Sequence, residues 1–302
     1  MARSSFVFQD RTAIITGGAG DIGRAIGREL HQRGMRLVIA DIDEVSAQAF
    51  ADELGERVLV VVADLTKESE NARLLKETEA AYGACDVVIN NLAITNAERF
   101  HERSTASMIK EIEIVMIAPI LLSRLAIPLL QNSPDPRIIT VTSLAGILPL
   151  RETPIYSAAR FGLRGAMLSF ALDEENHGIH VSCVLPTATD TYMLRQEVLE
   201  GGSVLNFIDE PQPISAVVKE VLLQLGKPRL ERYPKCSDSL LARLAMVFPN
   251  LLGRVLPYFE RRGRKGMKNY LQSLHDRGLI EEVEGELRQK ARKHLRFSSK
   301  FS

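Results

Sequence analysis

The chain has 302 residues, of which 45% are hydrophobic and 25% charged. This composition is typical of a soluble globular protein with a large core and excludes a disordered chain. The net charge of zero conceals a split: residues 1–226 carry 20 Lys and Arg against 30 Asp and Glu, whereas residues 227–302 carry 18 against 8. The change of sign predicts a domain of residues 1–226 and a basic, helical C-terminal extension of residues 227–302.

Cysteine and histidine give no sign of a metal site or a disulfide framework. Cys85, Cys183 and Cys236 are few and far apart, and the six histidines show no ligand spacing. The N-terminus lacks the apolar run of a secretory signal, and no window holds eighteen uninterrupted apolar residues. We therefore expect reduced thiols, no metal, no transmembrane helix and a cytoplasmic protein.

The first forty residues read as a strand, a glycine-rich turn and a helix. A β-branched run at 12–16 is followed by glycines at 17, 18, 20 and 23 and then by a helical pattern at 24–33. Glycines let the backbone approach a pyrophosphate, and a helix N-terminus attracts its charge. A second strand at 36–40 ends in Asp41, whose carboxylate suits the ribose hydroxyls of NAD and repels the 2′-phosphate of NADP.

Strands and helices then alternate along the chain. Strands are predicted at 58–63, 86–90, 137–142 and 178–185, and helices at 68–82, 106–131, 154–177 and 214–225. This order predicts an α/β fold with a doubly wound parallel β-sheet, the Rossmann fold. In such a sheet ligands bind at the carboxyl edge, where Ser143 and the glycine-rich and Asn-rich loops would meet.

A serine, a tyrosine and an arginine form the candidate chemical centre. Tyr156 and Arg160 are four residues apart and share one face of the predicted helix, with Ser143 thirteen residues upstream of the tyrosine. A fixed positive charge beside a phenol favours the phenolate, so Tyr156 is a plausible proton donor.

These motifs together resemble the short-chain dehydrogenase/reductase family over roughly residues 8–225. The segment 16–23 resembles the TGxxxGxG turn, 90–93 the NNAG motif, and Tyr156 with Arg160 the YxxxK pair. Asp41 resembles the family's NAD-type acidic residue, and Asp64 the residue that meets the adenine. Residues 186–191 resemble the segment that contacts the nicotinamide.

The resemblance implies hydride transfer between a nicotinamide and an alcohol or ketone. Tyr156 would act as acid and base, and Ser143 would hold the carbonyl oxygen. It also implies a small apolar substrate and a homodimer or homotetramer. The cofactor contacts implied are Gly17, Gly18, Gly20, Asp21, Ile22, Gly23, Asp41, Ile42, Asp64, Leu65, Asn91, Leu92, Ala93, Tyr156, Arg160, Pro186, Thr187, Thr189 and Thr191.

Several residues depart from the family pattern. Arg160 replaces the lysine, and arginine does not deprotonate, so it cannot pass protons onward. Val115 stands where the family's relay asparagine is expected, and Leu92, Ala93 and Thr187 replace small residues beside the cofactor. An alternative function is therefore a nucleotide-binding homologue with lost or altered catalysis, acting through its tail or its subunit interface.

Two segments beyond the motifs remain to be assigned. In 189–213, the residues Tyr192, Met193, Leu194, Val198 and Leu199 either line an apolar pocket or pack as a surface helix. In the extension, 237–248 and 249–259 are predicted helices with a basic cluster directly after them. We expect their apolar stripe to pack on its own domain or a sister subunit; the alternative is peripheral membrane contact through 237–268. Nucleic acid is not an expected partner, and 281–302 is predicted to be a helix. The stripe comprises Leu240, Leu241, Leu244, Ala245, Phe248, Leu251, Leu252, Val255, Leu256 and Phe259.

Overall fold

The computed structural model describes residues 6–96, 98–174, 178–283 and 286–290. Within them, a seven-stranded sheet has the order β3-β2-β1-β4-β5-β6-β7, and every pair of neighbours is parallel. This confirms the doubly wound α/β fold. The strands are β1 Thr12–Thr16, β2 Arg36–Asp41, β3 Val58–Val62, β4 Val87–Asn90, β5 Arg137–Val141, β6 His180–Val184 and β7 Glu231–Arg232.

Helices cover both faces of this sheet and form the extension. They are α1 Asp21–Gln32, α2 Glu44–Leu54, α3 Glu68–Tyr82, α4 Thr105–Ile112, α5 Ala118–Leu130, α6 Pro154–Glu174, α7 Tyr192–Leu199, α8 Ile214–Gly226, α9 Cys236–Val247 and α10 Leu252–Asp276. A π-helical stretch, Glu113–Ile117, joins α4 to α5, and 3₁₀ turns occur at Leu144–Gly146, Val204–Phe207 and Pro249–Leu251.

The core has one layer on each side of the sheet. Successive side chains of a strand point to opposite faces, so Ile14 and Val38 join one buried cluster while Ile15 and Leu37 join the other. The carboxyl ends of the parallel strands share one edge. The glycine turn, Asp41 and the residues that follow β4, β5 and β6 therefore lie along that edge.

The prediction of a helix at 281–302 is wrong for the part of that range that the structure describes. Two antiparallel strands, β8 Ile280–Val283 and β9 Glu286–Gln289, form a small separate sheet. Ile280 is buried against Tyr270 and Leu274 of α10, whereas Glu281 and Glu282 are exposed. Packing on α10 therefore selects the strand over the helical preference of these charged residues. Residues 291–302 of that prediction lie outside the described residues.

One helical run among the described residues is long and apolar enough to cross a membrane. It is Thr105–Leu130, and 39% of its most apolar part is buried. Val115, Leu122 and Ala126 are fully buried, and α5 packs against the sheet and α6. Burial therefore accounts for one face of the run, whereas Ile109 and Ile117 are exposed.

The extension contributes to the core as well as to the surface. Strand β7 pairs with β6 through Cys183↔Glu231 and Val184↔Arg232. Ala242 of α9 is buried in the same cluster as Ile14. Residues beyond Gly226 thus complete the sheet, and the boundary predicted there stays a prediction.

Candidate active site

The turn after β1 has the shape of a phosphate cradle. Gly17 has a φ of +58°, which L side chains rarely adopt. A Cβ on Gly23 would collide with the carbonyl oxygen of Gly17, and one on Gly18 would lie 2.9 Å from the carbonyl oxygen of Ile15. Gly20 is the exposed N-cap of α1. The bare backbone and the helix N-terminus fit a dinucleotide pyrophosphate.

Asp41 is held beside this turn. One carboxylate oxygen accepts the backbone N–H of Ala19 at 3.0 Å, and the other accepts that of Asp43 at 3.1 Å. Burial raises the pKa of Asp41, and these backbone hydrogen bonds oppose the rise. The carboxylate therefore has a fixed direction at the end of β2, next to the exposed Ile42.

The side chains of Asp64 and Leu65 mainly make contacts within the protein. Asp64 accepts from the backbone N–H and hydroxyl of Thr66, and it lies 3.3 Å from the Lys67 ammonium. Burial alone would raise the pKa of Asp64, but these contacts outweigh it and the pKa is lowered. The Leu65 side chain is buried in the core, so only its backbone is free to meet a cofactor.

The loop after β4 is tied to the glycine turn. The Thr16 hydroxyl accepts the backbone N–H of Asn91 at 3.0 Å and that of Leu92 at 3.2 Å. The Asn91 amide donates to the Gly17 carbonyl at 3.1 Å. A Cβ on Gly17 would lie 3.1 Å from the Leu92 Cα. Leu92 and Ala93 are thereby placed directly beside the cradle, and both are half-buried.

Ser143 stands at the end of β5 where the chain turns toward α6. Its hydroxyl accepts the backbone N–H of Ala145 at 3.1 Å, which starts the 3₁₀ turn Leu144–Gly146. A Cβ on Gly146 would lie 2.9 Å from the carbonyl oxygen of Arg160. Glycine therefore permits the backbone after Ser143 to lie against the helix that carries Tyr156 and Arg160.

The structure brings Tyr156 and Arg160 together on α6. The Arg160 guanidinium carbon lies 4.9 Å from the centre of the Tyr156 ring, a cation–π distance. Arg160 is 3% exposed, and its Nη1 donates to the Val141 carbonyl of β5 at 3.3 Å. Among the described residues, the Tyr156 hydroxyl has no hydrogen-bond partner. The cation is therefore turned inward along the tyrosine ring, and the hydroxyl remains available to a ligand.

A buried ion pair joins Arg103, which precedes α4, to Glu111 of α4 and was not predicted from the sequence. The Glu111 carboxylate accepts from Arg103, and both side chains are nearly fully buried. The second Glu111 oxygen and the Arg160 Nε are buried without a partner among the described residues. Burial raises the pKa of Glu111, while the positive charges of Arg103 and Arg160 oppose the rise. Val115, in the π-helical stretch that follows, is fully buried.

The segment after β6 is braced on both sides. The Thr187 carbonyl accepts from the Thr189 hydroxyl at 3.0 Å, and Thr189 forms a β-bridge with Gln212. Pro186 is buried, and Thr191 caps α7 by accepting the backbone N–H of Leu194. These contacts give the implied nicotinamide segment a defined path.

Asp190, within this segment, ties it to the extension. Its carboxylate accepts from Tyr270 at 2.6 Å, Arg277 at 2.8 Å and Arg195 at 2.9 Å. Burial alone would raise the pKa of Asp190, but these three donors lower it. Sequence reasoning did not single out Tyr270 or Arg277, because neither belongs to a motif.

Helix α7 is anchored at its start and buries one face. The Asp21 carboxylate, next to Gly20 of the cradle, accepts the backbone N–H of Tyr192 at 2.5 Å. Leu194 and Val198 are buried with Tyr270 and Leu274, and Leu199 packs against the same cluster. These three side chains therefore pack within the protein and do not line a pocket. Met193 is exposed and Tyr192 half-buried.

Comparison with known proteins identifies the family. A sequence model described as short chain dehydrogenase matches residues 11–200. The chain belongs to the short-chain dehydrogenase family, whose members are oxidoreductases that use nicotinamide cofactors and are typically oligomeric.

Its relatives include two named dehydrogenases. The chain is 27% identical over 268 residues to the L-fucose dehydrogenase of Mus musculus, covering 81% of this chain and 97% of that protein. It is 32% identical over 188 residues to the cis-4-hydroxycyclohexanecarboxylate dehydrogenase of Sinomonas cyclohexanicum, covering 61% of this chain and 75% of the relative. The crystal structure of gox2181 has a TM-score of 0.69 at 21% identity and covers 75% of this chain and 95% of its own. That likeness supports the fold.

Proposed function

We propose that the protein is an NAD-dependent oxidoreductase that interconverts an alcohol and a ketone on a small, largely apolar molecule. The observation that carries the proposal is the arrangement on α6. Tyr156 presents an unpartnered hydroxyl with the Arg160 cation against its ring, and Gly146 lets the backbone after Ser143 lie against that helix. At the same edge of the sheet, the glycine cradle fits a dinucleotide.

Each residue has a separate role in this proposal. The cofactor, when bound, supplies or accepts the hydride. Tyr156 transfers the proton to or from the substrate oxygen, and Ser143 hydrogen-bonds that oxygen as charge develops on it. Arg160 provides a permanent positive charge but does not take part in proton transfer. The residues implied for the cofactor at 17–23, 41–42, 64–65, 91–93 and 186–191 line the same edge of the sheet.

The choice of NAD over NADP rests on Asp41. Its carboxylate is fixed by the backbone of Ala19, within the cradle itself. A carboxylate there accepts hydrogen bonds from ribose hydroxyls and repels a phosphate. Asp41→Ala is expected to lower the kcat/KM ratio of NAD to NADP by at least about tenfold. Asp43→Ala, which removes a neighbouring charge, is the control; an unchanged ratio in Asp41→Ala would remove Asp41 from ribose recognition.

The substrate class and the oligomeric state are proposed by analogy with the family. Two relatives are named for dehydrogenating L-fucose and cis-4-hydroxycyclohexanecarboxylate, which places hydroxy compounds first in a substrate screen. We propose a homodimer or homotetramer in the cytoplasm. Ile109, Ile117 and Leu172 are exposed on the helices that the family uses between subunits, which supports such an assembly.

The central test is Tyr156→Phe measured against the wild type with NAD and a panel of hydroxy compounds and ketones. Loss of proton transfer should reduce kcat by about 10²–10⁴-fold. NAD affinity, measured by calorimetry, should stay within about threefold because the ring over Arg160 is retained. Full turnover by Tyr156→Phe would overturn the proposed role, and NAD binding without any turnover by the wild type would favour the non-catalytic alternative.

That alternative has two structural observations in its favour. Arg160 donates to the Val141 carbonyl inside the core, and Val115 leaves no polar group at the predicted relay position. Arg160→Lys tests whether the arginine limits catalysis. If Arg160 is a poor substitute for lysine, the variant should gain activity; a fall would indicate an active site rebuilt around the guanidinium, and turnover in neither form would favour the non-catalytic alternative.

A further inference from the structure

Helix α9 is oriented with its larger apolar face toward solvent. Ala242 and Ser239, both small residues, are its buried positions. On the opposite side, Leu244 is 55% exposed and Phe248, directly after the helix, is 62% exposed. The exposed apolar residues follow the spacing that normally marks a core-facing stripe. They are Leu240, Leu241, Leu244, Val247 and Phe248. These residues do not pack on their own domain; the other form of that expectation, packing on a sister subunit, stays a prediction.

Helix α10 continues the exposed stripe and then changes its chemistry. Leu251, Val255 and Tyr258 are exposed and share one helix face. At the same spacing, Arg262 and Lys265 follow on that face. The stripe therefore passes from apolar to cationic within about four turns. We call residues 236–268, which comprise α9, the 3₁₀ turn and about two thirds of α10, the outward-facing hairpin.

The charge of the outward-facing hairpin is strongly one-sided. Residues 236–268 hold seven Lys and Arg against two acidic residues. Both acids are engaged: Asp238 pairs with Lys235, and the buried Glu260 pairs with Arg151. Among the described residues, no ion-pair partner reaches four of the cations, which are Arg254, Arg261, Lys265 and Lys268.

These observations decide which kind of partner can cover the outward-facing hairpin. In a two-fold contact between copies, the same patch meets itself, so the excess cations of both chains would be brought together. A bilayer with anionic headgroups instead accepts the apolar side chains in its interfacial layer and the cations at its surface. A straight span needs about 20 residues, whereas α9 has 12 and meets the following helix at 96°. The geometry fits a surface that lies on the membrane.

We propose that the outward-facing hairpin binds the surface of an anionic lipid bilayer, with Leu240, Leu244 and Phe248 entering the interfacial layer. The lysines and arginines of α10 contact the lipid headgroups. The proposal does not rest on the oxidoreductase function, since its test uses neither substrate nor cofactor.

The experiment is co-sedimentation of the full chain with phosphatidylcholine vesicles and with vesicles containing about one-third phosphatidylserine. The wild type should bind the anionic vesicles at least about tenfold more tightly, and added salt should weaken binding. Leu244→Glu combined with Phe248→Glu should abolish binding, and Arg261→Gln combined with Lys265→Gln should reduce it several-fold. Val45→Glu, at an exposed valine of α2, adds a charge elsewhere and should bind as the wild type does.

Several results would overturn the proposal. Wild-type protein that stays in the supernatant with both vesicle types would do so, as would undiminished binding by the Leu244/Phe248 variant. A shift to a smaller assembly in that variant, with vesicle binding unchanged, would assign the surface to a second copy of the chain. Unaltered circular dichroism and melting of each variant would show that folding is not the cause.

Discussion

Helices α5 and α9 carry the same kind of sequence pattern and meet opposite surroundings. Both have leucines at helical spacing, but Leu122 of α5 is fully buried while Leu244 of α9 is 55% exposed. Helix α5 lies against the sheet and α6, whereas α9 meets the protein through Ser239 and Ala242. The comparison teaches that apolar periodicity marks a helix that needs a partner, and that the partner need not belong to the same chain.

The largest expected effect concerns a buried acid in the apolar run Thr105–Leu130, which includes α5. Glu111→Gln leaves Arg103 buried without its counter-charge, and we expect a loss of about 3–5 kcal/mol in the free energy of unfolding. Replacing both residues by leucine should recover a large part of that loss. Urea denaturation measures both. A loss below about 1 kcal/mol in Glu111→Gln would mean that the pair is more hydrated than its burial indicates.

Truncating the two leucines probes the comparison directly. Leu122→Ala should cost about 2–5 kcal/mol because it opens a cavity in a close-packed layer. Leu244→Ala, the same chemical change on an exposed face, should cost less than about 0.5 kcal/mol. Parallel urea titrations would show the difference. Equal losses would mean that α9 is covered in solution by another copy of the chain.

The buried Glu197 carboxyl of α7 should make stability depend on pH. Burial raises the pKa of Glu197 from its ordinary 4.5 to about 7, and Glu152 and Glu200 add to the rise. Between these values the folded state binds more protons than the unfolded state, so stability falls as the pH rises from about 4.5 to 7. Over this pH range the free energy of unfolding should fall by about 3 kcal/mol.

Glu197→Gln is the matched variant for this pH dependence. A glutamine oxygen can still accept from the Asn206 amide, which lies 2.8 Å from Glu197 Oε1. We expect a gain in melting temperature at pH 8 and little change near pH 4.5. The melting temperature of both proteins across this range provides the measurement. Parallel curves for the two would exclude Glu197 as the titrating group.

The smallest effect concerns the link between α10 and the segment after β6. Tyr270→Phe removes the hydroxyl that donates to Asp190 at 2.6 Å. A hydrogen bond to a charged group contributes about 1.5–3 kcal/mol, and Arg195 and Arg277 remain to hold the carboxylate. We therefore expect the free energy of unfolding to fall by about 1.5 kcal/mol and amide exchange in α7 to become faster. Tyr258→Phe, at an exposed tyrosine of the same helix, is the control and should change neither quantity.

Much of the core was predictable because local signals and topology agree there. The strand positions follow from β-branched runs, and the contact between Tyr156 and Arg160 follows from their spacing of four on a helix. Strand β7 was not predicted because two residues, Glu231 and Arg232, carry no alternation. The Arg103–Glu111 pair could have been suspected from acidic and basic residues within an apolar helical region, but its burial depends on how α4 packs on α6.

The extension was harder to predict because distant contacts determine it. Gly263 and Gly266 weaken a helix in isolation, yet α10 runs through both. A Cβ at either position would collide with the backbone at Val204 or Phe207, so these glycines permit close packing. The contacts of Tyr270 and Arg277 with Asp190 join residues about eighty positions apart, which no local pattern reveals.

The continuity of α10 has a mechanical consequence. As one helix of 25 residues it is about 37 Å long, with Val255 and Tyr258 near one end and Tyr270 near the other. Because Tyr270 of this helix donates to the Asp190 carboxylate, we expect a tilt imposed on the exposed end of α10 to shift that carboxylate. A surface that binds the outward-facing end would then also displace the backbone between Pro186 and Thr191.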